Sequence, residues 1–216
     1  MVKPFLDRAD AGRRLGAAVR LKVLQAQAVV LGLARGGVPV AAGVADALGV
    51  ELDVLVVRKV GVPNQPELAM GAVAAGGVEA RLPYVMRLVP DAEAQFERVA
   101  TRERAEIERR ERRYRCSRPP LELGGRAVVL VDDGLATGAT MQAAVRFCRA
   151  GGAERIIVAV PVAAPTSLVA VTALANDVVC LLEPAGFATV GQWYQSFTQL
   201  EDDEVRRILA STRHST

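Results

Sequence analysis

The sequence is poor in the side chains that most often carry metal-ion or acid–base chemistry. Its only histidine is His214, close to the C-terminus, and its three cysteines are Cys116, Cys148 and Cys180. One tail histidine excludes histidine catalysis and a histidine-bound metal, and the lack of a Cys-x-x-Cys pair argues against a zinc knuckle. Three widely spaced cysteines are typical of reduced thiols and not of a disulfide framework.

Long apolar runs are also missing. The first residues, MVKPFLDRADAGRR, carry charge where a secretory signal needs an apolar run, and no stretch has the length of a membrane span. We therefore expect a cytoplasmic protein with no membrane partner. Aromatic residues are only 4% of the 216 residues, yet 51% are apolar, which is enough for the core of a single domain, 1–216.

Charge of one sign is not in large excess. Lysine and arginine number 27 against 24 acidic residues, so the net charge is +3 and the pI is near 9.0. A mild positive balance suits an anionic small molecule and does not by itself indicate nucleic acid. Since no separate helix-turn-helix pattern is present, we expect no nucleic-acid partner.

Strand-length apolar runs alternate with helix-length segments through most of the chain. The predicted strands are 28–33, 51–59, 126–133, 154–162 and 178–184, and the predicted helices are 7–24, 38–49, 140–152, 164–177 and 202–210. Residues 70–82 predict a hairpin that turns at Gly76 and Gly77. Alternation of this kind predicts an α/β fold, a doubly wound and mostly parallel sheet covered on both faces.

One segment, 91–115, is dense in charge and contains neither glycine nor proline. Its apolar residues fall on a narrow helical stripe of Phe96, Ala100, Ile107 and Tyr114. Favourable (i, i+4) pairs are expected for Glu106–Arg110, Glu108–Arg112 and Glu111–Arg115. We interpret it as a long surface helix with a solvated, self-paired face; a polyanion-binding face is the alternative. The loop-rich stretch 117–126 follows.

The stretch VVLVDDGLATGAT, residues 128–140, ends a predicted strand on two adjacent carboxylates, Asp132 and Asp133. Paired carboxylates can accept hydrogen bonds from vicinal hydroxyls or hold a divalent cation. Small and hydroxyl residues then open a helix, where free backbone N–H groups favour an anion. The hydroxyls and phosphate of a ribose 5-phosphate have this layout. The alternative is purely structural: a capped crossover helix in which the two aspartates bind no ligand.

Other nucleotide loops do not fit the same residues. No lysine follows a glycine as in G-x-x-x-x-G-K-[ST], and the first strand is followed by GLARGG in place of G-x-G-x-x-G. A phosphatase-like hydrolase with Asp132 as nucleophile would need an Asp-x-Asp arrangement, which is missing.

VVLVDDGLATGAT resembles the ribose-phosphate signature of the type I phosphoribosyltransferases, in the form with alanine at position 136, and the order of elements resembles that family over about 28–183. The resemblance implies binding of 5-phosphoribosyl 1-pyrophosphate (PRPP), with Mg2+ and the ribose held by Asp132 and Asp133. It implies a small-molecule acceptor and a homodimer. The 5-phosphate residues would be Gly134, Ala136, Thr137, Gly138, Ala139 and Thr140.

Two further segments, one rich in glycine and one basic, lie at the ends of predicted strands. Arg35, Gly36 and Gly37 end the first strand, and exposed amides beside a guanidinium make an anion site. Arg58 and Lys59 end the second, where two cations can neutralise a leaving pyrophosphate. In the family that the sequence resembles, a short loop at the first place faces the pyrophosphate, and basic residues follow the second strand. We therefore expect Arg58 and Lys59 to be the catalytic pair, although the sequence does not say which of the two matters. A plain glycine turn and ordinary strand-end charge are the alternatives.

Lid or hood pieces are expected at about 60–90 and 184–200. Family members close a flexible loop over the site, which keeps water from the reacting sugar. The aromatic side chains that could stack on a planar acceptor, or simply pack in a lid, are Phe187, Trp193, Tyr194 and Phe197. Ala136 stands where hypoxanthine-type members carry an aspartate, so a purine-type general base is absent there.

The sequence thus predicts a PRPP-dependent phosphoribosyltransferase, a glycosyltransferase of nucleotide salvage, that moves the phosphoribosyl group to a nucleobase-like nitrogen acceptor. The alternative is a non-catalytic protein that senses PRPP or a nucleotide through the same site. The acceptor, the occurrence of turnover and the oligomeric state are left open by the sequence.

Overall fold

The computed structural model of the protein describes residues 5–22, 28–115 and 122–211. Leu24, Cys116, His214 and the first part of the predicted loop 117–126 lie outside the described residues. Within them, Cys148 and Cys180 are free thiols. No helix of these ranges combines the length and hydropathy that crossing a membrane requires.

The described residues form eight strands and seven α-helices. The strands are β1 (Ala28–Leu33), β2 (Glu51–Leu55), β3 (Val57–Val62), β4 (Gln65–Ala74), β5 (Glu79–Arg81), β6 (Ala127–Val131), β7 (Arg155–Val162) and β8 (Asp177–Leu182). The helices are α1 (Arg8–Val19), α2 (Gly37–Leu48), α3 (Pro83–Met86), α4 (Ala92–Arg115), α5 (Ala139–Ala150), α6 (Pro165–Thr172) and α7 (Asp202–Ser211). Short 3-10 turns span Ala75–Gly77 and Val190–Trp193.

A five-stranded sheet in the order β2-β1-β6-β7-β8 forms the centre, and each neighbouring pair is parallel. Every residue of β1 and β6 is buried, as expected for strands rich in valine and leucine that are covered on both faces. The predicted α/β fold with a parallel sheet is therefore confirmed. The strand order reverses direction between β1 and β6, which is where open sheets of this kind bind ligands.

The predicted second strand, 51–59, is divided in the structure. β2 ends at Leu55 and pairs with β1, whereas β3 starts at Val57 and pairs antiparallel with β4 in a separate three-stranded sheet. The residues from Val54 to Val57 are all apolar and buried, so the run carries no mark of the change of sheet at Val56. The prediction that Arg58 and Lys59 end a central strand is wrong, because they lie within β3.

The second sheet, in the order β3-β4-β5, contains the predicted hairpin. β4 and β5 pair antiparallel around the turn at Ala75–Gly77, where Gly76 and Gly77 have φ of 65° and 75°. Such positive φ values are accessible to glycine at little cost. The hairpin between β3 and β4 occupies the segment that the sequence assigns to a loop.

The long charged segment forms α4, as predicted, and packs against β3 and β4. Its apolar stripe of Phe96, Ala100, Ile107 and Tyr114 is buried. Glu106 and Arg110 form an ion pair of 2.6 Å, and Glu111 and Arg115 one of 4.0 Å. Arg112 differs from the prediction, since it donates to the backbone carbonyl of Glu108 at 3.3 Å.

Candidate functional site

A cavity of about 1100 Å³ lies at the reversal point of the central sheet. Its walls come from the ends of β1 and β6, from β3 and the β3–β4 turn, from one face of α4, and from residues 197–200. Among the predicted site residues, those that line it are Arg35, Gly36, Arg58, Lys59, Asp132, Asp133, Thr140 and Phe197. Residues from three predicted anion or acid sites thus meet at one cavity.

The turn after β1 packs directly against the end of β6. A Cβ atom added at Gly36 would overlap the Asp133 carboxylate, and one at Gly37 would lie 2.5 Å from the Val131 carbonyl oxygen. Close approach, and not a positive φ, therefore requires glycine at Gly36, whose φ is −59°. The Ala34–Arg35 peptide bond in this turn is cis.

Replacing Gly36 with alanine should destabilise the protein by about 1–3 kcal/mol, because the added methyl group must displace the Asp133 carboxylate or the turn. Urea unfolding of both variants measures this against Gly186→Ala, since a Cβ at Gly186 meets nothing within 4 Å. Equal unfolding free energies for the two variants would contradict the close packing.

The two acidic residues differ in their partners. Asp133 receives the Arg8 guanidinium, with Nε at 2.9 Å and Nη2 at 2.8 Å from Oδ2. Asp132 accepts only a hydrogen bond from the backbone N–H of Asp133, at 2.9 Å, and no ion pair is recorded for it among the described residues. Arg8 therefore balances the charge of Asp133, and the charge of Asp132 has no such partner within the described residues.

Burial shapes the acid strength of both carboxyls. It raises the pKa of Asp132 well above its usual value, and the negative charge of Asp133 adds to the effect. Burial also raises the pKa of Asp133, against the opposing charge and hydrogen bond of Arg8. The positive charge of Lys59 lowers the pKa of each. The site thus favours a cation or hydroxyl donors beside Asp132.

Arg8 is held in place by its position at the start of α1 and by contacts with residues 197 and 198. It is the first residue of α1, which Asp7 caps by accepting a hydrogen bond from Asp10 N–H at 2.8 Å. Its Nη1 donates to the Thr198 carbonyl at 2.8 Å, and its guanidinium lies 3.9 Å from the centre of the Phe197 ring. The sequence does not predict this role, because a charged residue on an amphipathic helix is usually solvated.

The loop from Gly134 to Thr140 leads into α5 and leaves backbone donors free. Leu135 is fixed by hydrogen bonds with Val162 and Ala164, at 2.9 and 2.8 Å. Gly138 has a φ of 77°, and the first helical hydrogen bond runs from Gln142 N–H to its carbonyl. Within the described part of the chain, the N–H groups of residues 139–141 consequently have no protein acceptor, which is the usual state of a helix start.

Individual members of this loop differ in exposure. Ala136, Thr137 and Thr140 are half-exposed, whereas Gly134, Gly138 and Ala139 are buried. Gly134 packs against Val190, where a Cβ would lie 2.5 Å from a valine methyl carbon. Ser167 Oγ donates to the Ala136 carbonyl at 2.5 Å. The loop is therefore fixed from behind by the segments after β7 and β8, and its outer edge faces the cavity at Thr140.

The structure distinguishes Arg58 from Lys59. Successive side chains on a strand point to opposite faces, and Arg58 turns to α4, where its Nε lies 2.7 Å from Glu103 Oε2. Lys59 is exposed, acts electrostatically on Asp132 and Asp133, and has no ion pair recorded in the described ranges. Lys59 is consequently the member of the pair whose charge is available to a ligand.

Arg35 lines the cavity and is only loosely held. Its Nη1 lies 3.9 Å from Glu201 and 3.8 Å from Asp202, near the start of α7. At such distances the guanidinium is not fixed by hydrogen bonds. It can therefore turn to an anion in the cavity.

The four aromatic residues of the predicted hood lie in different environments. Tyr194 is buried between Phe5 and Phe197, with ring centres 5.5 and 5.0 Å away, and its hydroxyl donates to the Asp133 carbonyl at 2.5 Å. Trp193 and Phe187 are half-buried and are not among the described residues that line the cavity. Phe197 lines the cavity, so the structure brings one of the four rings to it.

Sequence reasoning also missed Arg98 and Arg102. Both lie on α4 and line the cavity, although the charge pattern predicts a solvated helix face. For Arg98 the sequence holds a signal, since Ala94 and Arg102 stand four residues away and no glutamate does. For Arg102 it holds none, because Glu106 stands four residues away and binds Arg109 and Arg110 instead.

A magnesium ion would find oxygen ligands here but no complete protein site. Within residues 5–22, 28–115 and 122–211, no three Asp, Glu, Cys or His side chains come together to hold a metal. Asp132 and Asp133 offer the carboxylate oxygens that Mg2+ prefers, and this ion usually completes its shell with water and substrate phosphates. The acidic pair therefore fits a substrate-bound magnesium ion.

Comparison with known proteins places the chain in a family. The phosphoribosyl transferase domain model matches residues 5–194. A Mycobacterium tuberculosis protein named "Putative phosphoribosyl transferase Rv0571c" is 49% identical over 209 residues, which are 96% of this chain. They are 47% of that protein, so the chain spans about half the length of the curated relatives it matches.

Two solved structures share the fold of this chain. The crystal structure of TT1426 from Thermus thermophilus is 46% identical, has a TM-score of 0.81, and matches over 96% of this chain and 98% of that one. A purine phosphoribosyltransferase from Pyrococcus horikoshii shares the fold at 17% identity and a TM-score of 0.50, over 93% of this chain and 99% of that chain. The chain belongs to the phosphoribosyl transferase family.

Proposed function

We propose that the protein transfers the 5-phosphoribosyl group of PRPP to a nitrogen atom of a small, nucleobase-like acceptor and releases pyrophosphate. The observation that carries the proposal is the meeting of an acidic pair, a helix-start loop with free N–H groups and loosely held cations at one cavity. Ligands of open parallel sheets bind at this reversal point.

The ribose 5-phosphate would lie against the end of β6 and the start of α5. Asp132 and Asp133 accept hydrogen bonds from the two ribose hydroxyls. The 5-phosphate accepts hydrogen bonds from the N–H groups of residues 137–141 and from the hydroxyls of Thr137 and Thr140. The positive end of the α5 dipole favours the phosphate charge there.

The pyrophosphate would lie between the turn after β1 and β3. Arg35 and the amides of Gly36 and Gly37 contact it from one side, and Lys59 from the other. Support comes from the weak ion pairs of Arg35 and from the availability of Lys59. Cations there stabilise the charge that develops as the leaving group departs.

In the proposed reaction, the bond between ribose C1 and the pyrophosphate oxygen breaks and its electron pair leaves with pyrophosphate. The acceptor nitrogen supplies the electron pair of the new N–C1 bond and releases its proton to solvent. Mg2+ held by PRPP and the acidic pair would supply positive charge to the pyrophosphate oxygens. The protein itself contributes mainly position and electrostatic stabilisation.

The cover of the site would come from residues 60–90 and 184–200. The β3–β4 turn contributes Pro63 and Asn64 to the cavity wall, and residues from Phe197 to Leu200 follow the second piece. Closing these pieces over a cationic ribose would keep water from competing with the acceptor. Phe197 is the aromatic side chain available to a planar acceptor.

Lys59→Gln should weaken the binding of inorganic pyrophosphate about tenfold, because one charge-assisted hydrogen bond of about 1.5 kcal/mol is lost. Arg58→Gln is the matched control, since the adjacent guanidinium already binds Glu103. Isothermal calorimetry with Mg2+ compares the two variants. Equal affinities, or a larger loss for Arg58→Gln, would contradict the assignment of pyrophosphate to Lys59.

The decisive functional assay is pyrophosphate release from PRPP with a panel of purine, pyrimidine and other nitrogen acceptors. A transferase releases pyrophosphate with at least one acceptor, and the rate rises with its concentration. Tight PRPP binding without release for any acceptor would favour a non-catalytic sensor. Failure to bind PRPP at all would contradict both functions.

A further inference from the structure

The cavity carries more positive charge than its own carboxylates neutralise. Cationic side chains outnumber carboxylates seven to three among the described residues of its wall. Three of these cations have close carboxylate partners: Arg8 with Asp133, Arg58 with Glu103, and Arg110 with Glu106 just outside the wall. Such charge in a partly enclosed site favours an anionic ligand.

Two further cations of the cavity wall, Arg98 and Arg102, lie on α4. No ion pair or hydrogen bond of either side chain is recorded in the described part of the protein. The two residues lie one helical turn apart on the same face, where like charges destabilise a helix. Both side chains are exposed to solvent, so an anion in the cavity can reach them and offset this repulsion.

Other arginines of α4 show that the helix normally pairs its charges. Arg104 binds Glu79 and Glu97, and Arg109 binds Glu106 at 2.7 Å. The contrast lies within one helix and separates the cavity-facing Arg98 and Arg102 from these paired residues. Arg112 has no carboxylate partner either, but it donates to the Glu108 carbonyl, so Arg98 and Arg102 differ from it in having no protein partner within the described residues.

Position separates these two arginines from the residues proposed for the ribose and the 5-phosphate. Those contacts come from the end of β6 and the start of α5, whereas Arg98 and Arg102 lie on α4, which packs against β3 and β4. Of the residues proposed for the donor, Lys59 lies on β3. The cavity volume of about 1100 Å³ also exceeds the upper end of ordinary ligand pockets, about 1000 Å³. A second small molecule can therefore occupy the α4 side while PRPP is bound.

We propose that Arg98 and Arg102 form an anion subsite for the acceptor, which is therefore a nitrogen compound that carries an oxyanion such as a carboxylate or phosphate. The inference rests on the proposed function and specifies its acceptor class. Two guanidinium groups on one face bind an oxyanion through paired, charge-assisted hydrogen bonds. A neutral base would leave both uncompensated.

The test uses fluorine NMR with 4-fluorobenzoate as the anionic probe and 4-fluorobenzamide as its neutral match, each added to protein saturated with PRPP and Mg2+. Wild-type protein should bind the benzoate saturably and at least about tenfold more tightly than the amide, the effect of one charge-assisted hydrogen bond. R98Q/R102Q should abolish that preference. R109Q/R112Q removes the same charge from exposed positions of α4 and should keep it.

Three results would overturn the subsite: no saturable benzoate binding to the wild type with PRPP bound, an unchanged preference in R98Q/R102Q, or a loss of more than tenfold in PRPP affinity in that variant. The last would assign the arginines to the donor. Displacement of the benzoate by acetate or inorganic phosphate supports recognition of an oxyanion, and the stronger competitor of the two identifies the preferred group. If neither displaces the benzoate, the result counts against the subsite. Wild-type protein that does not bind PRPP contradicts the proposed function itself.

Discussion

Asp132→Asn is expected to weaken PRPP binding about 100-fold, the equivalent of about 2.7 kcal/mol, while leaving the protein at least as stable as the wild type. The binding loss follows from replacing a charged acceptor of ribose hydroxyls, and a ligand of magnesium, by a neutral amide. Charged hydrogen-bond partners contribute more than neutral ones, and the amide nitrogen cannot accept a hydrogen bond at all.

The unchanged or increased stability follows from the surroundings of Asp132. It lies beside the Asp133 carboxylate, and no ion pair of its own is recorded among the described residues. Two neighbouring carboxylates with one guanidinium repel each other, and an asparagine of the same shape removes that repulsion. The Asp132 carboxylate therefore lowers the free energy of unfolding, and ligand binding offsets this loss, as is common at functional sites.

Calorimetric titration with PRPP and Mg2+, together with urea unfolding, measures the two effects in one variant. Asp46→Asn is the control, because Asp46 is exposed on α2 and far from the cavity wall. Its binding and stability should equal those of the wild type. Wild-type affinity in Asp132→Asn, or marked destabilisation without loss of binding, would show that the carboxylate serves the fold and not a ligand.

Arg8→Met should cost about 3–5 kcal/mol of unfolding free energy, the usual effect of removing one member of a buried ion pair. The side chains of Arg8 and Asp133 are only 11% and 14% exposed, so water cannot fully replace the lost guanidinium. The variant also loses the hydrogen bond to the Thr198 carbonyl and the contact with Phe197. Asp133 is left as an unpaired, largely buried charge.

A double variant separates the charge effect from simple loss of packing. Arg8→Met combined with Asp133→Asn leaves no uncompensated carboxylate at Asp133, so it should recover a substantial part of the loss. Arg13→Met is the surface control, since Arg13 is 66% exposed and pairs only with Asp10 one turn away, and its effect should be below about 0.5 kcal/mol. Similar losses for Arg8→Met and Arg13→Met would contradict a structural role for Arg8.

Fluorescence of Trp193, the single tryptophan, gives a local readout of the same variant. Trp193 and Phe5 are joined by a backbone hydrogen bond of 2.7 Å, which connects the start of the chain to the segment that precedes Phe197. Because Arg8 ties α1 to this segment, its removal should shift the Trp193 emission at lower urea than the far-UV circular dichroism changes.

The sequence predicts the central sheet well because its signals are local. Five apolar runs with amphipathic helices between them specify parallel strands, and the stretch from Val128 to Thr140 joins a strand, two acids and a helix start in one continuous segment. The end of a parallel strand is also where ligands bind, so the position of Asp132 and Asp133 at the cavity followed from order alone.

What the sequence does not predict depends on contacts between distant residues. The split of 51–59 into β2 and β3 follows from which strands they pair with, and the apolar run from Val54 to Val57 continues across the split. Arg8 meets Asp133 across 125 positions, so no spacing rule identifies it. Tyr194 looks like an acceptor-stacking ring in the sequence, and only the packing of Phe5 and Phe197 shows that it is covered.

The most direct test of the account is a crystal structure of the protein soaked with ribose 5-phosphate and Mg2+. We expect the phosphate within hydrogen-bonding distance of the N–H groups of residues 137–141, and the two ribose hydroxyls on the carboxylates of Asp132 and Asp133. Density for the sugar elsewhere in the cavity, or a phosphate bound at Arg98 and Arg102 with the α5 loop empty, would contradict it.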